Sequence, residues 1–208
     1  MIFSTIKVNI RENLNDAGIT FFNETQLNNS VQDAYNDIAI LTRCITKKQS
    51  AISWQGGLSY YKFRDIVPDY FWPLAIFNNA SNMWLEDNTN IRQLDIIHWD
   101  WEKQNGTPRL WMPAGHERIA IFPKYSVISN ETFDLIYAAT APTVVDEETP
   151  LIIESRQSLI TLYCTGDILE QSEEFTKAEE YLVPYYIGVD EYMMQVKNLS
   201  GADLMRLA

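Results

Sequence analysis

Thr25-Gln-Leu-Asn-Asn-Ser-Val-Gln-Asp-Ala-Tyr-Asn-Asp-Ile-Ala-Ile-Leu-Thr-Arg43 is the stretch from which the rest of the chain can be read. Leu27, Val31, Ala34, Tyr35, Ile38, Leu41 and Ile45 recur at three- and four-residue spacing, which is one apolar helix face. Asn28, Gln32, Asn36 and Arg43 fall on other faces. Asn23 followed by Gln26 has the form of a capping box, with Thr25 as the other candidate cap. Upstream, Ile2, Ile6, Ile10 and Leu14 repeat every four residues as the stripe of an earlier helix. Asn15-Asp16-Ala17-Gly18 supplies its stop, with Gly18 free to take a left-handed cap. The chain therefore opens as a helix pair.

Downstream the texture changes at about residue 51. Ile52, Trp54, Leu58 and Tyr60 alternate around Gly56-Gly57, the pattern of strands about a turn or bulge. Pro68, Pro73, Pro108, Pro113, Pro123 and Pro142 leave little room for a long helix. Between them lie short β-like runs at residues 74–77, 94–99, 109–112, 118–122 and 132–138. Asn105-Gly106 reads as a hairpin turn flanked by Trp101 and Trp111, a cross-strand pair. After the acidic loop Asp146-Glu147-Glu148-Thr149-Pro150, helical periodicity returns with Ile152, Leu159, Ile160, Tyr163 and Ile168. Ser172 is placed to cap a last helix carrying Phe175, Ala178, Tyr181, Leu182, Tyr185, Val189, Tyr192, Met193 and Val196. Pro184 is expected to kink or interrupt that helix near Leu182.

The expected fold is thus α+β. The N- and C-terminal helix pairs form one four-helix layer (residues 1–50 and 146–198), a small antiparallel β sandwich or barrel is inserted between them (51–145), and a tail follows (199–208).

Composition narrows the function. With 46% hydrophobic and 12% aromatic residues, 8 Gly and 8 Pro in 208, the chain has ample core material. It is neither collagen-like nor low-complexity nor wholly disordered. No apolar run approaches the ~18 residues of a membrane span. The first ten residues lack a basic segment followed by a long apolar one, so the expectation is a soluble protein made in a cytoplasm. A net charge of −12 argues against holding nucleic acid by phosphate neutralisation.

Candidate chemistry is sparse. There is no phosphate loop, no dinucleotide fingerprint and no nucleophile elbow. Cys44 and Cys164 make neither a disulfide framework nor a zinc quartet and read as buried free thiols. In an extended His98-Trp-Asp-Trp-Glu102, His98, Asp100 and Glu102 would share one face, as a metal row does. The same alternation is what any half-buried strand shows, with its polar face in water and Trp99 and Trp101 in the core; this second reading is preferred. His116 reads as a turn residue. Asp65 and Asp69 close turns around Pro68, and the acidic loop is solvated. Six tryptophans leave a sugar-binding face or a β-module enzyme as a minor alternative. No catalytic, cofactor-binding or metal residue is assigned, and no cofactor is expected.

One order of motifs goes beyond composition. The helix pair is followed by Tyr60-Tyr-Lys-Phe-Arg-Asp-Ile-Val-Pro-Asp69, then Leu94-Asp95, Trp101, Gly106-Thr-Pro-Arg-Leu-Trp111, Ile119-Ala-Ile-Phe-Pro123, Phe133 to Tyr137 and the Pro150 loop. This order, over roughly residues 3–195, resembles the head-to-tail adaptor proteins of tailed bacteriophages, including the tail tubular protein A type; it departs at Trp111, where tyrosine is more usual, and at Pro184 within the last helix. The resemblance implies a non-enzymatic virion protein of the neck. Its subunits, present in the host cytoplasm during assembly, would form a homo-oligomeric ring, a dodecamer, between the portal vertex and the tail. The partners implied are the portal protein and the tail tube or nozzle proteins, with DNA passing through without specific binding and no membrane involved. Another tail ring component, a tail tube or stopper, is the alternative within the same class. In related adaptors the C-terminal segment reaches the portal, so Leu199, Leu204, Met205, Arg206 and Leu207 are the expected portal contacts. Leu204 and Leu207 would fill apolar pockets, with Asp203 or Arg206 at the rim.

Overall fold

Asn23 does what its spacing predicts. Its Oδ1 accepts the Gln26 backbone N–H at 2.8 Å while Gln26 Oε1 accepts the Asn23 N–H at 3.2 Å, and a 19-residue helix starts there. The computed structural model in which this is seen describes residues 1–15, 22–87, 91–115, 117–126 and 131–197. Among them are helices α1 (Phe3–Asn13), α2 (Glu24–Thr42), α3 (Ile91–Ile97), α4 (Ser158–Gln171) and α5 (Phe175–Lys197). The strands are β1 (Thr46–Ser53), β2 (Tyr60–Lys62), β3 (Tyr70–Asn78), β4 (Met83–Trp84), β5 (Glu86–Asp87), β6 (Asn105–Gly106), β7 (Leu110–Pro113), β8 (Arg118–Phe122), β9 (Lys124–Tyr125) and β10 (Thr132–Ala139). The protein is α+β, and no described helix is long and apolar enough to cross a membrane.

The chain divides into two compact units, Met1–Ile45 with the residues from Thr140 through α5, and Thr46–Ala139. Both boundaries fall a few residues before the expected 50/51 and 145/146. The first moves because Thr46–Gln49, too polar to show alternation, pair with β10 as an edge strand.

In the helical unit α4 packs against α1, α2 and α5, and α2 also meets α5. Phe3, Ile6, Ile10, Leu27, Val31, Tyr35, Ile38, Leu159, Ile160, Ile168, Tyr185 and Tyr192 form its core. The acidic loop has more to do than meet water. Its Glu148 and Asp146 carbonyls accept the Phe3 and Ser4 N–H groups at 3.0 and 3.2 Å, satisfying donors that the start of a helix leaves open. The Asp146 carboxylate pairs with the nearly buried Lys7. Ser172 closes α4 rather than opening α5, its hydroxyl donating to the Ile168 carbonyl at 2.9 Å. Helix α5 runs through Pro184 without interruption. Pro184 and Glu180 are both exposed, so the carbonyl that loses its i+4 donor lies on the solvent side, where the loss is least costly.

In the β unit, β1-β10-β3-β4 and β2-β8-β7-β5 form two four-stranded sheets, and β6-β9 a small third one. The ladders are not purely antiparallel as expected, since β5–β7 and β6–β9 are parallel. Phe133 of β10 meets Trp54 at 4.2 Å, Tyr61 at 5.8 Å and Phe63 at 5.9 Å between ring centroids, so the two large sheets share one aromatic core. Residues 94–99 are not a strand; most of them belong to α3. Asn105-Gly106 does not turn a hairpin but bridges to Lys124-Tyr125. There Gly106 lies so close to Pro123 that a Cβ would sit 3.3 Å from its ring.

Several expected core positions are exposed: Ile2, Leu41, Trp99 and Phe175. Leu41 is 44% exposed, because Arg43 takes a left-handed φ of 57° and ends α2 before Ile45. Leu159, by contrast, is buried. Leu159→Ala is therefore expected to cost about 2–5 kcal/mol and Leu41→Ala no more than about 0.5 kcal/mol in urea unfolding. Equal losses would return Leu41 to the core.

Candidate functional site

The row His98, Asp100 and Glu102 is dispersed by a helical backbone. Residues 101–103 form a 3-10 turn directly after α3. His98 stacks on Phe122 with centroids 5.3 Å apart, Asp100 accepts from Gln104 Nε2 at 2.9 Å, and Glu102 accepts from the Tyr60 hydroxyl at 2.6 Å. Burial together with that bond pushes Tyr60 up to about 12. Each group is engaged separately, and among the described residues no cluster of three or more His, Cys, Asp or Glu side chains is placed to hold a metal. The tryptophans of the segment part company: Trp101 is buried against Leu94, Met112 and Ala120, whereas Trp99 is 83% exposed. His116 lies outside the described residues.

Both cysteines are free. Burial pushes the Cys164 thiol up to about 12 and raises that of Cys44 as well. Neither is a thiolate at neutral pH, and the thiolate is the nucleophilic form. Asp65 pairs with Lys62 at 3.0 Å and Asp69 with Lys47 at 2.6 Å, so the two carboxylates serve separate pairs. A cleft of about 290 Å³ between α2 and α4 is lined by Gln26, Ser30, Asp33, Asp167 and Gln171. Its Asp167 carboxylate already accepts from Ser30 at 3.1 Å and Gln171 at 2.9 Å.

The feature that stands out is a surface. Helix α5 buries Ala178, Tyr185, Val189 and Tyr192. On its opposite side Val183, Tyr186, Ile187 and Met194 are each more than half exposed, with Phe175 at the N-terminal end of the same side. Val183, Tyr186 and Ile187 lie three and four residues apart on one turn, and Phe175 and Met194 lie eight residues to either side of Val183 and Tyr186 on the same side. At 1.5 Å per residue the run from Phe175 to Met194 spans about 28 Å. A helix with apolar residues on two faces ordinarily has both covered, and the exposed apolar part of this face is concentrated in Val183, Tyr186 and Ile187 on one turn. Glu179 and Asp190 interrupt the row, between Phe175 and Val183 and between Tyr186 and Met194, and Glu180 and Glu191 border it on one side, all exposed. Sequence reading found the inner face but counted Phe175 with it and passed over Val183, Tyr186, Ile187 and Met194. The signal was present in Val183-Pro-Tyr-Tyr-Ile187, apolar positions too dense for one stripe.

Charge is partitioned in the same sense. Residues 1–45 and 140–197 carry six Lys/Arg against seventeen Asp/Glu, and residues 46–139 carry nine against ten. Nearly all the net negative charge therefore resides in the helical unit. The expected portal contacts Leu199, Leu204, Met205, Arg206 and Leu207 lie outside the described residues.

In the β unit the bases of β1 are locked. Lys47 meets Asp69, which also accepts from the Tyr137 hydroxyl at 3.1 Å, and Lys48 meets Asp134 at 2.8 Å. For both carboxylates burial pulls the pKa up, but the lysine ammoniums and neighbouring donors prevail and hold it below the ordinary Asp value of 3.8. A depressed folded value stabilises fully above the unfolded one and is lost as pH falls through the folded one. The Asp69 and Asp134 contributions, about 0.5–1 kcal/mol each for partly solvated pairs, should therefore be constant from pH 7 to 5 and fade below about 4. Urea unfolding of the wild type and of Asp69→Asn/Asp134→Asn across that range tests this: the double variant should lose less stability on acidification, and an identical slope would remove these pairs from the acid response.

Comparison of the sequence with protein-family models and with curated proteins gives no match.

Proposed function

We propose that this chain is a structural virion protein, a subunit of the ring that joins the portal vertex of a tailed bacteriophage to its tail. The observation that carries the reading is the exposed Val183, Tyr186 and Ile187 on the outer face of α5, set among acidic side chains in a helical unit that holds nearly all of the net charge. A docking surface of this kind on a rigid helix suits an assembly subunit. The motif order from Tyr60 to Phe133 adds the resemblance to the adaptor family. The charge is consistent with a neck through which DNA slides, because an acidic wall repels a polyanion. The role is non-enzymatic and needs no cofactor. The portal protein and the tail tube or nozzle proteins are the partners, a dodecamer is the stoichiometry the resemblance implies, and the virion neck is the location, reached from the host cytoplasm. Residues 199–208 are the portal anchor in this reading.

The test is to mix the purified chain with portal particles encoded by the same genome and inspect the product by negative-stain electron microscopy. A collar of added density on the portal is expected with the full chain. It should be absent with a chain ending at residue 198 whose unfolding transition is unchanged. Portal particles left bare by the full chain would sink the assignment; a collar formed by the truncated chain would sink the anchor alone.

A further inference from the structure

Residues 142–151 cross the helical unit with no helix or strand of their own, and what holds them is mostly polar. Thr143 and Val145 through Thr149 are exposed, while Pro150 is buried. Gln32 of α2 clamps one end: its Nε2 donates to the Pro142 carbonyl at 3.2 Å and its Oε1 accepts the Val144 N–H at 2.8 Å. One side chain thus pairs with the backbone as a neighbouring strand would. Further along, the Asp146 carboxylate pairs with Lys7, and the Leu151 N–H donates to the Tyr35 hydroxyl at 2.7 Å. The segment is not packed tightly on α2. A cleft of about 600 Å³ is lined by Lys7, Asn28, Gln32, Val144 and Asp146, and the buried Asn28 Oδ1 has no hydrogen-bond partner among the described residues.

The hold is mutual. Helix α1 has no side-chain cap, since Ile2 stands at that position. Its first N–H groups, those of Phe3 and Ser4, use the Glu148 and Asp146 carbonyls instead, so the segment is itself the cap. The Phe3 ring meets Tyr35 with centroids 5.4 Å apart, the same residue whose hydroxyl holds Leu151. Without the segment the first turn of α1 keeps open donors, and a helix of 11 residues has little stability of its own. The far end of α1 is anchored separately, with Ile10 buried and Arg11 paired with Glu24 at 2.8 Å.

We infer that residues 142–151 and the first turn of α1 form a latch that opens as one unit while α2, α4 and α5 stay packed. Opening gives up polar contacts that water can replace and uncovers Phe3 and Pro150. The core that stays closed holds Leu27, Val31, Ile38, Leu159, Ile160 and Tyr185. Segments with few buried apolar contacts and exposed backbone hydrogen bonds are the ones that open below the global stability. The latch also lies on the stretch of chain that leaves β10 for the helical unit. Its opening therefore lengthens the free chain between the two units and unfolds neither. The inference does not rest on the ring reading: exchange in the free subunit decides it, and portal binding decides the other.

Native-state hydrogen exchange of the full chain, read amide by amide by NMR at several low urea concentrations, tests the latch. The amides of Phe3, Ser4, Val144 and Leu151 each donate across it. They are expected to share one protection factor to within about threefold, at least about tenfold below those of Ile38 in α2 and Ile168 in α4. Their common urea dependence should be shallower than that of Ile38, because less surface is exposed. Gln32→Met removes the clamp and keeps the length of the side chain. It should speed exchange at all four amides by a common factor of roughly three to ten, the effect of one or two lost hydrogen bonds. Asp146→Asn weakens the hold further along and should shift the same four together, so the test survives if either variant folds poorly. Four amides as well protected as Ile38, four unrelated protection factors, or a Gln32→Met effect confined to Val144 would each overturn the inference.

Discussion

Trp54→Ala should lower the stability of the β unit by about 3–5 kcal/mol, the range for deleting a fully buried large aromatic. Trp54 is 2% exposed. Its ring meets Phe133 at 4.2 Å, Tyr61 edge-on at 5.8 Å and Tyr125 in a stack at 5.9 Å. Tyr61 and Phe63 hold Phe133 from the β2 side, so removing the indole empties the place where the two large sheets meet. The side chain also has a polar duty. Nε1 donates at 3.3 Å to Oδ1 of Asn78, a residue with no exposed surface whose Nδ2 has no protein partner. Trp54→Phe keeps an aromatic ring but drops that donor, and is expected to cost about 1–2 kcal/mol, a hydrogen bond plus a small void. Urea unfolding followed by near-ultraviolet circular dichroism reads both, and the aromatic signal should fall in the same order. An alanine variant within about 1 kcal/mol of the wild type would mean that the sheets do not depend on this aromatic junction.

The parts legible in the sequence share a cause. Helix α2 has an apolar stripe and a side-chain cap, and strands β3, β8 and β10 are apolar runs between turn residues; local pattern and burial agree there. Residues 94–101 broke the agreement. His98 to Glu102 alternate polar and apolar, which suggests a strand, yet Leu94 and Trp101 must both reach the floor formed by Met112 and Ala120. Seven residues separate them. In a strand a separation of seven puts two side chains on opposite faces, whereas here the end of α3 and the 3-10 turn that begins at Trp101 bring both onto one floor. The longer spacing was the better signal, and following it would have turned Trp99 outward. Leu41 failed for another reason: the helix stops at Arg43 in a left-handed conformation with neither glycine nor asparagine to announce it. The α5 stripe was visible as apolar density, but periodicity says which residues share a face and not which of two faces the rest of the fold will cover.

Substitution of Gly166 should be the most damaging change in the helical unit outside its large side chains. Helices α4 and α5 approach so closely that each has a leucine over the other's glycine. A Cβ on Gly166 would lie 2.6 Å from Leu182 Cγ, and one on Gly188 would lie 2.5 Å from Leu159 Cδ2. The two contacts differ in how they can yield. At Gly188 the clash is with a methyl, and Leu159 Cγ stands off at 3.7 Å, so a rotamer change gives room. At Gly166 the branch point itself is struck and the Ala178 carbonyl oxygen stands at 3.3 Å, so the helices must part. Against this, alanine is favoured over glycine in a helix by about 1 kcal/mol, while overpacking a tight core costs about 1–3 kcal/mol. Gly188→Ala should therefore come out near neutral. Gly166→Ala should lose about 1–2 kcal/mol and Gly166→Val, which adds branching and forfeits the propensity gain, about 3 kcal/mol or more. Gly166→Ala/Leu182→Ala supplies the control. It removes the clash at the cost of a cavity, so the loss from the pair should be clearly smaller than the sum of the two single losses. Additive losses would show that Leu182 does not sit over Gly166, and the close packing of α4 on α5 would then need another cause.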